Sequence, residues 1–386
     1  MPLDPGAVLP DALIEDIRSR AGGYDERNEF FQEDFDALVA AGYLKAFVAR
    51  GEGGLGAGMA DVVRLQRRLA QAAPATALAV NMHLVWTGVA KVLADRGDET
   101  LEFVLEEAAA GEVFAFGVSE AGNDAVLFDS ITDAVPQPDG GYSFTGTKVF
   151  TSLAPVWTRM GTFGKDATGP EDLLVWGFIR RDRPGWRHLD DWNTLGMRAS
   201  QSRTTVLEGA TASPDRIVRK LPVGPTPDLL TFGIFSVFET LLAAVYTGVA
   251  ERALALAVDA AHRRRSHRNG GRAYSQDPDI RWQIAELGMA VDAMIPQLDA
   301  VAADLDGLVD RGPAWFRALS GLKHRASETA KSVVDGAMRV GGGGGYFRGS
   351  ELERLYRDAL AGLYHPSDPE SAHATVAANL LGPLEG

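Results

Sequence analysis

Strand-like patterning in this chain is confined to one interior stretch, from residue 113 to about 220, and helical periodicity fills the sequence on both sides of it. A β module set between two helical blocks is an uncommon layout, and it restricts the fold before any motif is weighed. We therefore expect an α+β protein of three domains: helical over 1–112, β over 113–222 and helical again over 223–386.

In the first block, Leu13, Ile17, Phe31, Phe35, Leu38 and Val39 fall at helical spacing, and Gly42 ends the run. Helical character resumes at ADVVRLQRRLAQAA, and Asp98 is the expected N-cap of a helix running from Glu99 to Gly111. The middle stretch reads as five to seven strands, enough for a small barrel or sandwich. The segments are VFAFGV (113–118), SITDAV (130–135), YSFTGTKVF after the Pro138-Asp139-Gly140-Gly141 turn, LLVWGFIR (173–180) and TTVLEGA (204–210). LPVGPTPD (221–228) is a linker, and helices follow, interrupted by a polar loop at 268–279 and a glycine hinge at 341–345.

A net charge of −14 argues against a nucleic-acid partner, because phosphate binding needs a basic face. The chain has no cysteine, which removes disulfides, thiolate nucleophiles and cysteine-based metal sites. The opening residues show neither a basic nor an apolar leader region, so a cytoplasmic protein is expected. Leu229 to Ala250 has the length and apolarity to span a bilayer, but Glu239 at its centre would be costly in lipid. No other segment looks comparable, and we expect a buried bundle helix rather than a membrane span.

Several features could carry chemistry. The run Gly341 to Gly345 follows a helix, not a strand, so it is no dinucleotide fingerprint. It reads either as a helix stop or as backbone amides close to an anion, with Arg339, Arg348, Arg354 and Arg357 nearby. The cluster Arg263 to Arg268 reads as a solvated helix end or a phosphate contact. Asn123-Asp124 after Glu120, and Ser152 after Phe150, suit either turns or a planar aromatic ligand. Glu239, alone in an apolar helix, is either paired (with Arg263 or Arg357) or a general base. His365 sits in a loop before the last helix, with Ser367 or Asp368 as N-cap, and no metal-ligand pattern accompanies it.

Taken together these segments resemble the acyl-CoA dehydrogenase superfamily over nearly the whole chain. The resemblance is carried by Phe116-Gly117-Val118-Ser119-Glu120 with Gly122-Asn123-Asp124, and by Gly146-Thr147-Lys148 with Phe150-Thr151-Ser152. Gly196-Met197-Arg198-Ala199-Ser200, Gly248 to Leu254, and Gly342-Gly343-Gly344-Gly345-Tyr346 followed by Arg357-Asp358 complete it. It implies a C-terminal four-helix bundle, FAD as cofactor, and a homodimer or homotetramer in which subunits share the flavin. Phe116, Val118, Ser119, Phe150 and Ser152 would line the flavin ring. Arg264 would meet the phosphates of a neighbouring subunit's FAD, and Arg339, Gly342 and Gly343 would lie near the pyrophosphate.

The resemblance fails at the base. The family's usual glutamate-Gly-Thr after the Arg-Asp pair is replaced by Leu363-Tyr364-His365-Pro366-Ser367. In members that carry the base on the first bundle helix, its place falls on Phe238, one residue from Glu239. Our primary expectation is dehydrogenation of an acyl thioester, with Glu239 as base, hydride passing to FAD, and an electron-transfer partner. The alternative is a two-component monooxygenase of the same fold, supplied with reduced flavin (FAD or FMN) by a reductase, with His365 as its catalytic residue.

Overall fold

The computed structural model describes residues 3–382 and residue 384. The outermost residues of the first and third expected domains (1–2, 383, 385 and 386) lie outside the described residues. Six helices precede the sheet: α1 (Pro5–Val8), α2 (Asp11–Arg27), α3 (Gln32–Ala40), α4 (Met59–Ala70), α5 (Pro74–Ala94) and α6 (Glu102–Ala109). Asp98 instead caps a turn ahead of α6, accepting from the Thr100 amide at 3.0 Å, and the helix starts three residues later than its sequence signal.

Eight strands follow: β1 (Phe114–Gly117), β2 (Asp133–Pro136), β3 (Tyr142–Thr151), β4 (Arg159–Asp166), β5 (Leu173–Arg180), β6 (Trp186–His188), β7 (Arg203–Ala212) and β8 (Ile217–Pro222). They form one sheet in the order β6-β7-β3-β2-β4-β5-β8, with β1 paired to β4. The pairing is antiparallel except at β1–β4 and β2–β4.

Eight strands is one more than the upper end of the expected five to seven, and β4, β6 and β8 have no counterpart among the segments named from the sequence. The central one, β4, carries Gly161 and Gly164 and so loses its strand signal. Gly161 is there because a Cβ would sit 2.3 Å from the Trp86 ring. Trp86 reaches from α5, donates Nε1–H to the Ala115 carbonyl at 3.0 Å, and packs edge-on against Phe178.

The third block begins with α7 (Leu229–Arg263), a helix of 35 residues capped by the Asp228 side chain. After the small β9–β10 hairpin (Arg265–Ser266, Arg272–Ala273) come α8 (Pro278–Asp306), α9 (Ala314–Gly341), α10 (Glu351–Leu360) and α11 (Pro369–Leu381). The long helices α7, α8 and α9 pack on one another, with α10 and α11 against α9, while α4 and α5 cover the other side of α7. Enclosure on all sides is why the first half of α7 is apolar all round.

By length and apolarity alone α7 could cross a membrane, and so could α5, contrary to the expectation that no second segment compares. Asn81 and His83 disguise α5 in the sequence, yet both are buried in the core. The apolar windows of α5 and α7 are 89% and 78% buried within the fold, as core helices are.

Candidate functional site

A cavity of about 970 Å³ opens where the sheet meets α7, α10 and α11. Its floor comes from the strand ends. Phe116, at the end of β1, stacks on Phe238 of α7, with ring centroids 5.5 Å apart and planes 25° apart. The pairing of β3 with β7 slips between Lys148 and Thr151, and this irregularity turns Phe150 out of the sheet. Phe150 lies in the left-handed region (φ 59°) with 55% of its surface exposed, and meets Trp192 edge to face at 6.3 Å. An unfavourable backbone angle holding a large aromatic against an open cavity is strain of the kind found at ligand sites.

Beside Phe150 the Ser152 hydroxyl lies 2.7 Å from that of Ser202, which lies 2.8 Å from that of Ser200. Two hydrogen bonds join three hydroxyls, so one hydrogen of the chain is left for another acceptor. Ser152 and Ser202 line the cavity. Nothing in the sequence marked Ser202 or Trp192, because both arrive on an irregular segment from across the sheet.

Under the floor, Glu120 is buried. It accepts from Lys148 Nζ at 2.6 Å, Ser130 Oγ at 2.7 Å, and the amides of Ile131 and Thr132 at 3.0 and 3.1 Å. Burial pushes its carboxyl up, but Lys148 and these bonds outweigh burial and bring it down to about 2. Lys148, fully buried, is pushed down to about 8 by burial despite Glu120. The pair ties the 116–132 segment to β3. The strand alternation that sends Tyr142 and Phe144 inward also sends Lys148 inward, whereas its partner Glu120 is supplied by the fold.

The opposite wall is the loop between α10 and α11. His365 lines the cavity, and its Nδ1 lies 3.1 Å from the Tyr246 hydroxyl. Lys323, from α9, donates to the carbonyls of Gly362, His365 and Ser367 at 2.9, 2.8 and 2.7 Å and so holds the loop's backbone. Burial and the Lys323 charge push His365 down to about 3, leaving a neutral imidazole. Asp368 caps α11 through the Ser371 amide at 2.8 Å. At the mouth, Asp124 and Glu370 are exposed and form no ion pair among the described residues.

Glu239 is not on this wall. The helix turns about 100° per residue, so Phe238 facing the cavity sends Glu239 into the bundle. There Oε1 accepts from the Ser367 amide at 3.0 Å and hydroxyl at 2.8 Å, and Oε2 has no partner among the described residues. Burial raises its carboxyl, opposed by nearby Lys323. The arginines proposed as its partners are occupied elsewhere. Arg263 pairs with Asp259, and Arg357 with Asp25 and Glu353.

The remaining predicted residues separate into two groups. Phe116, Ser119, Phe150 and Ser152 share the cavity with His365, whereas Val118 is buried and does not line it. Arg264, Arg339, Gly342 and Gly343 lie away from it. The Arg264 guanidinium stacks over Tyr274 at 4.4 Å and donates to the Val340 carbonyl, filling the space a Cβ on Gly342 would need. Arg339 pairs with Asp335 at 2.8 Å on the surface. Among the described residues no cluster suits a metal ion.

The Arg-Asp pair at the end of α10 joins the blocks. Asp358 Oδ1 accepts from the Met197 amide at 2.6 Å, and burial raises its carboxyl to about 6. Arg357 holds Asp25 of α2 and the Leu195 carbonyl.

Comparison with known proteins is consistent across the chain. Residues 240–367 match the family model "Acyl-CoA dehydrogenase, C-terminal domain". L-evernosamine nitrososynthase from a Micromonospora species is 31% identical over 381 residues, covering 94% of this chain and 87% of that protein. Dibenzothiophene monooxygenase of Mycolicibacterium goodii is 27% identical over 94% of this chain and 89% of its own. The solved structure of KijD3 in complex with FMN and dTDP-3-amino-2,3,6-trideoxy-4-keto-3-methyl-D-glucose superposes with a TM-score of 0.87 at 27% identity. It covers all of this chain and 96% of that one.

Proposed function

The chain belongs to the acyl-CoA dehydrogenase superfamily, and from that premise we propose that it is a flavin-dependent monooxygenase rather than an acyl-CoA dehydrogenase. The observation that carries the reading is the pair Phe238 and His365. The two places where a dehydrogenase of this family would carry its glutamate hold a phenylalanine and a His-Pro loop, and Glu239 is turned into the bundle. Among the described residues, the carboxylates that reach the cavity are a locked ion pair (Glu120), a helix cap (Asp368) and two groups at the mouth (Asp124 and Glu370). Resemblance to a nitrososynthase and to a dibenzothiophene monooxygenase supports the same choice.

The residues fit a flavin ring. Phe150 gives a stacking face, the serine chain gives a hydroxyl hydrogen, and the cavity has room for ring and substrate together. We assign FMN rather than FAD, following the FMN bound to KijD3. Reduced flavin, supplied by a separate reductase, provides two electrons, so that one atom of O₂ enters the substrate and the other leaves as water. The protein's part is to orient the ring, exclude water through the Phe116–Phe238 wall, and offer a neutral histidine as hydrogen-bond donor.

The substrate class we propose is an amine. Asp124 and Glu370 at the mouth attract an ammonium group and repel the phosphates of a CoA ester. The assembly is a homo-oligomer in which Arg264, with Arg339, Gly342 and Gly343, meets a phosphate brought by another subunit.

The test supplies the FMN-loaded protein with a flavin reductase, NADH and ¹⁸O₂ in the presence of amines, thioethers and acyl-CoAs. Label entering an amine nitrogen is the expected result. Anaerobic bleaching of bound flavin by an acyl-CoA would overturn the reading and restore the dehydrogenase.

A further inference from the structure

The structure assigns Tyr246 as the positioning residue that sets the tautomer of His365, a role that rests on the monooxygenase reading of the cavity. Tyr246 lies on the face of α7 turned to α9 and the 361–368 loop, and none of it is exposed. Its hydroxyl must place one hydrogen in a site that water does not reach. The acceptor within hydrogen-bond distance is His365 Nδ1, at 3.1 Å. The neighbouring Ser327 hydroxyl makes no hydrogen bond among the described residues. If Nδ1 carried the proton, it would donate to the tyrosine and leave the phenolic hydrogen stranded, the costlier arrangement for a buried donor.

Nδ1 is therefore the acceptor, and the single proton of the neutral ring sits on Nε2. Nε2 forms no hydrogen bond with the described residues, while His365 lines the cavity. A loop residue thus presents a fixed N–H donor to whatever occupies the cavity.

Two further details keep the pair together. Lys323 binds the His365 carbonyl, so the backbone under the imidazole cannot drift. Gly362 lets the loop press onto Tyr246, because a Cβ there would lie 2.9 Å from both Tyr246 Cζ and Ser327 Oγ. The tyrosine touches neither flavin nor substrate in this arrangement and acts only through the histidine.

The test reads the tautomer directly. Protein labelled with ¹⁵N-histidine and loaded with FMN is compared with Tyr246→Phe, and the His365 signals are assigned by their loss in His365→Gln. The expected spectrum of the unsubstituted protein shows a protonated Nε2 and an unprotonated Nδ1, and Tyr246→Phe shows a mixture. A protonated Nδ1 in the unsubstituted protein, or an unchanged tautomer in Tyr246→Phe, overturns the assignment whatever reaction the protein performs.

In turnover, loss of an orienting partner is expected to lower kcat about tenfold. His365→Gln keeps an N–H near the Nε2 position, and adding Tyr246→Phe to it should lower kcat no further; an equal loss in both backgrounds overturns the assignment. If the tautomer shifts as expected while no ¹⁸O reaches any substrate, the tautomer assignment stands and the oxygenase reading falls.

Discussion

Phe238 and Phe116 stack across the junction of α7 and the sheet, their ring centroids 5.5 Å apart, and close the wall from which a base on α7 would act. Glu239, the neighbouring residue, is thereby turned to the far side of the helix, where it holds the Ser367 amide and hydroxyl. Glu239→Gln should keep an oxygen acceptor for Ser367 and leave turnover within about threefold of the unsubstituted protein. Glu239→Ala should release the loop and lower stability by about 1–3 kcal/mol. Steady-state rates and urea midpoints check both. A thousandfold loss of kcat in Glu239→Gln at unchanged stability would make it a base after all.

The buried pair of Glu120 and Lys148 contributes to the acid sensitivity of the fold. The Glu120 carboxyl ionises near 2 in the native state and near 4.5 when unfolded, so between those values the unfolded chain holds the extra proton. Its contribution, about 3 kcal/mol, is present above pH 4.5 and is lost as pH falls toward 2. Glu120→Gln should remove that part of the acid slope in urea midpoints measured from pH 3 to 7. It should also cost about 3 kcal/mol at neutral pH, because Lys148 is left buried without its partner.

Phe150 pays in backbone strain for its place in the cavity. Asparagine adopts the left-handed region more readily, so Phe150→Asn should hold or raise the melting temperature, by about 1 kcal/mol of relieved strain. The same change removes the stacking face and should weaken FMN binding at least about tenfold, seen as loss of flavin fluorescence quenching on titration.

Gly161→Ala places a methyl group 2.3 Å from the Trp86 ring, behind the wall that Phe116 completes. Overpacking of this kind costs about 1–3 kcal/mol. The urea midpoint should fall accordingly, and tryptophan fluorescence should report the displaced ring.

The order of blocks, helical then β then helical, was determined by the sequence itself, because hydrophobic periodicity is local and needs no partner. So were five of the eight large-sheet strands, whose β-branched and aromatic residues alternate or run together. The floor residues Phe116, Phe150 and Ser152 were legible through a resemblance of linked motifs. Beyond that the chain order was silent. Strand β4 hid behind its glycines, which answer to Trp86 on another element. Ser202 and Tyr246 reach the site from segments 50 residues from Ser152 and 119 from His365, and nothing local marks them. Above all, whether Phe238 or Glu239 faces the cavity depends on the rotation of α7. An α7 that is apolar on every face carries no periodic signal to set that rotation. Packing of the helix against α5, α9 and β1 decides it, and with it the choice between a carboxylate and a histidine at the site.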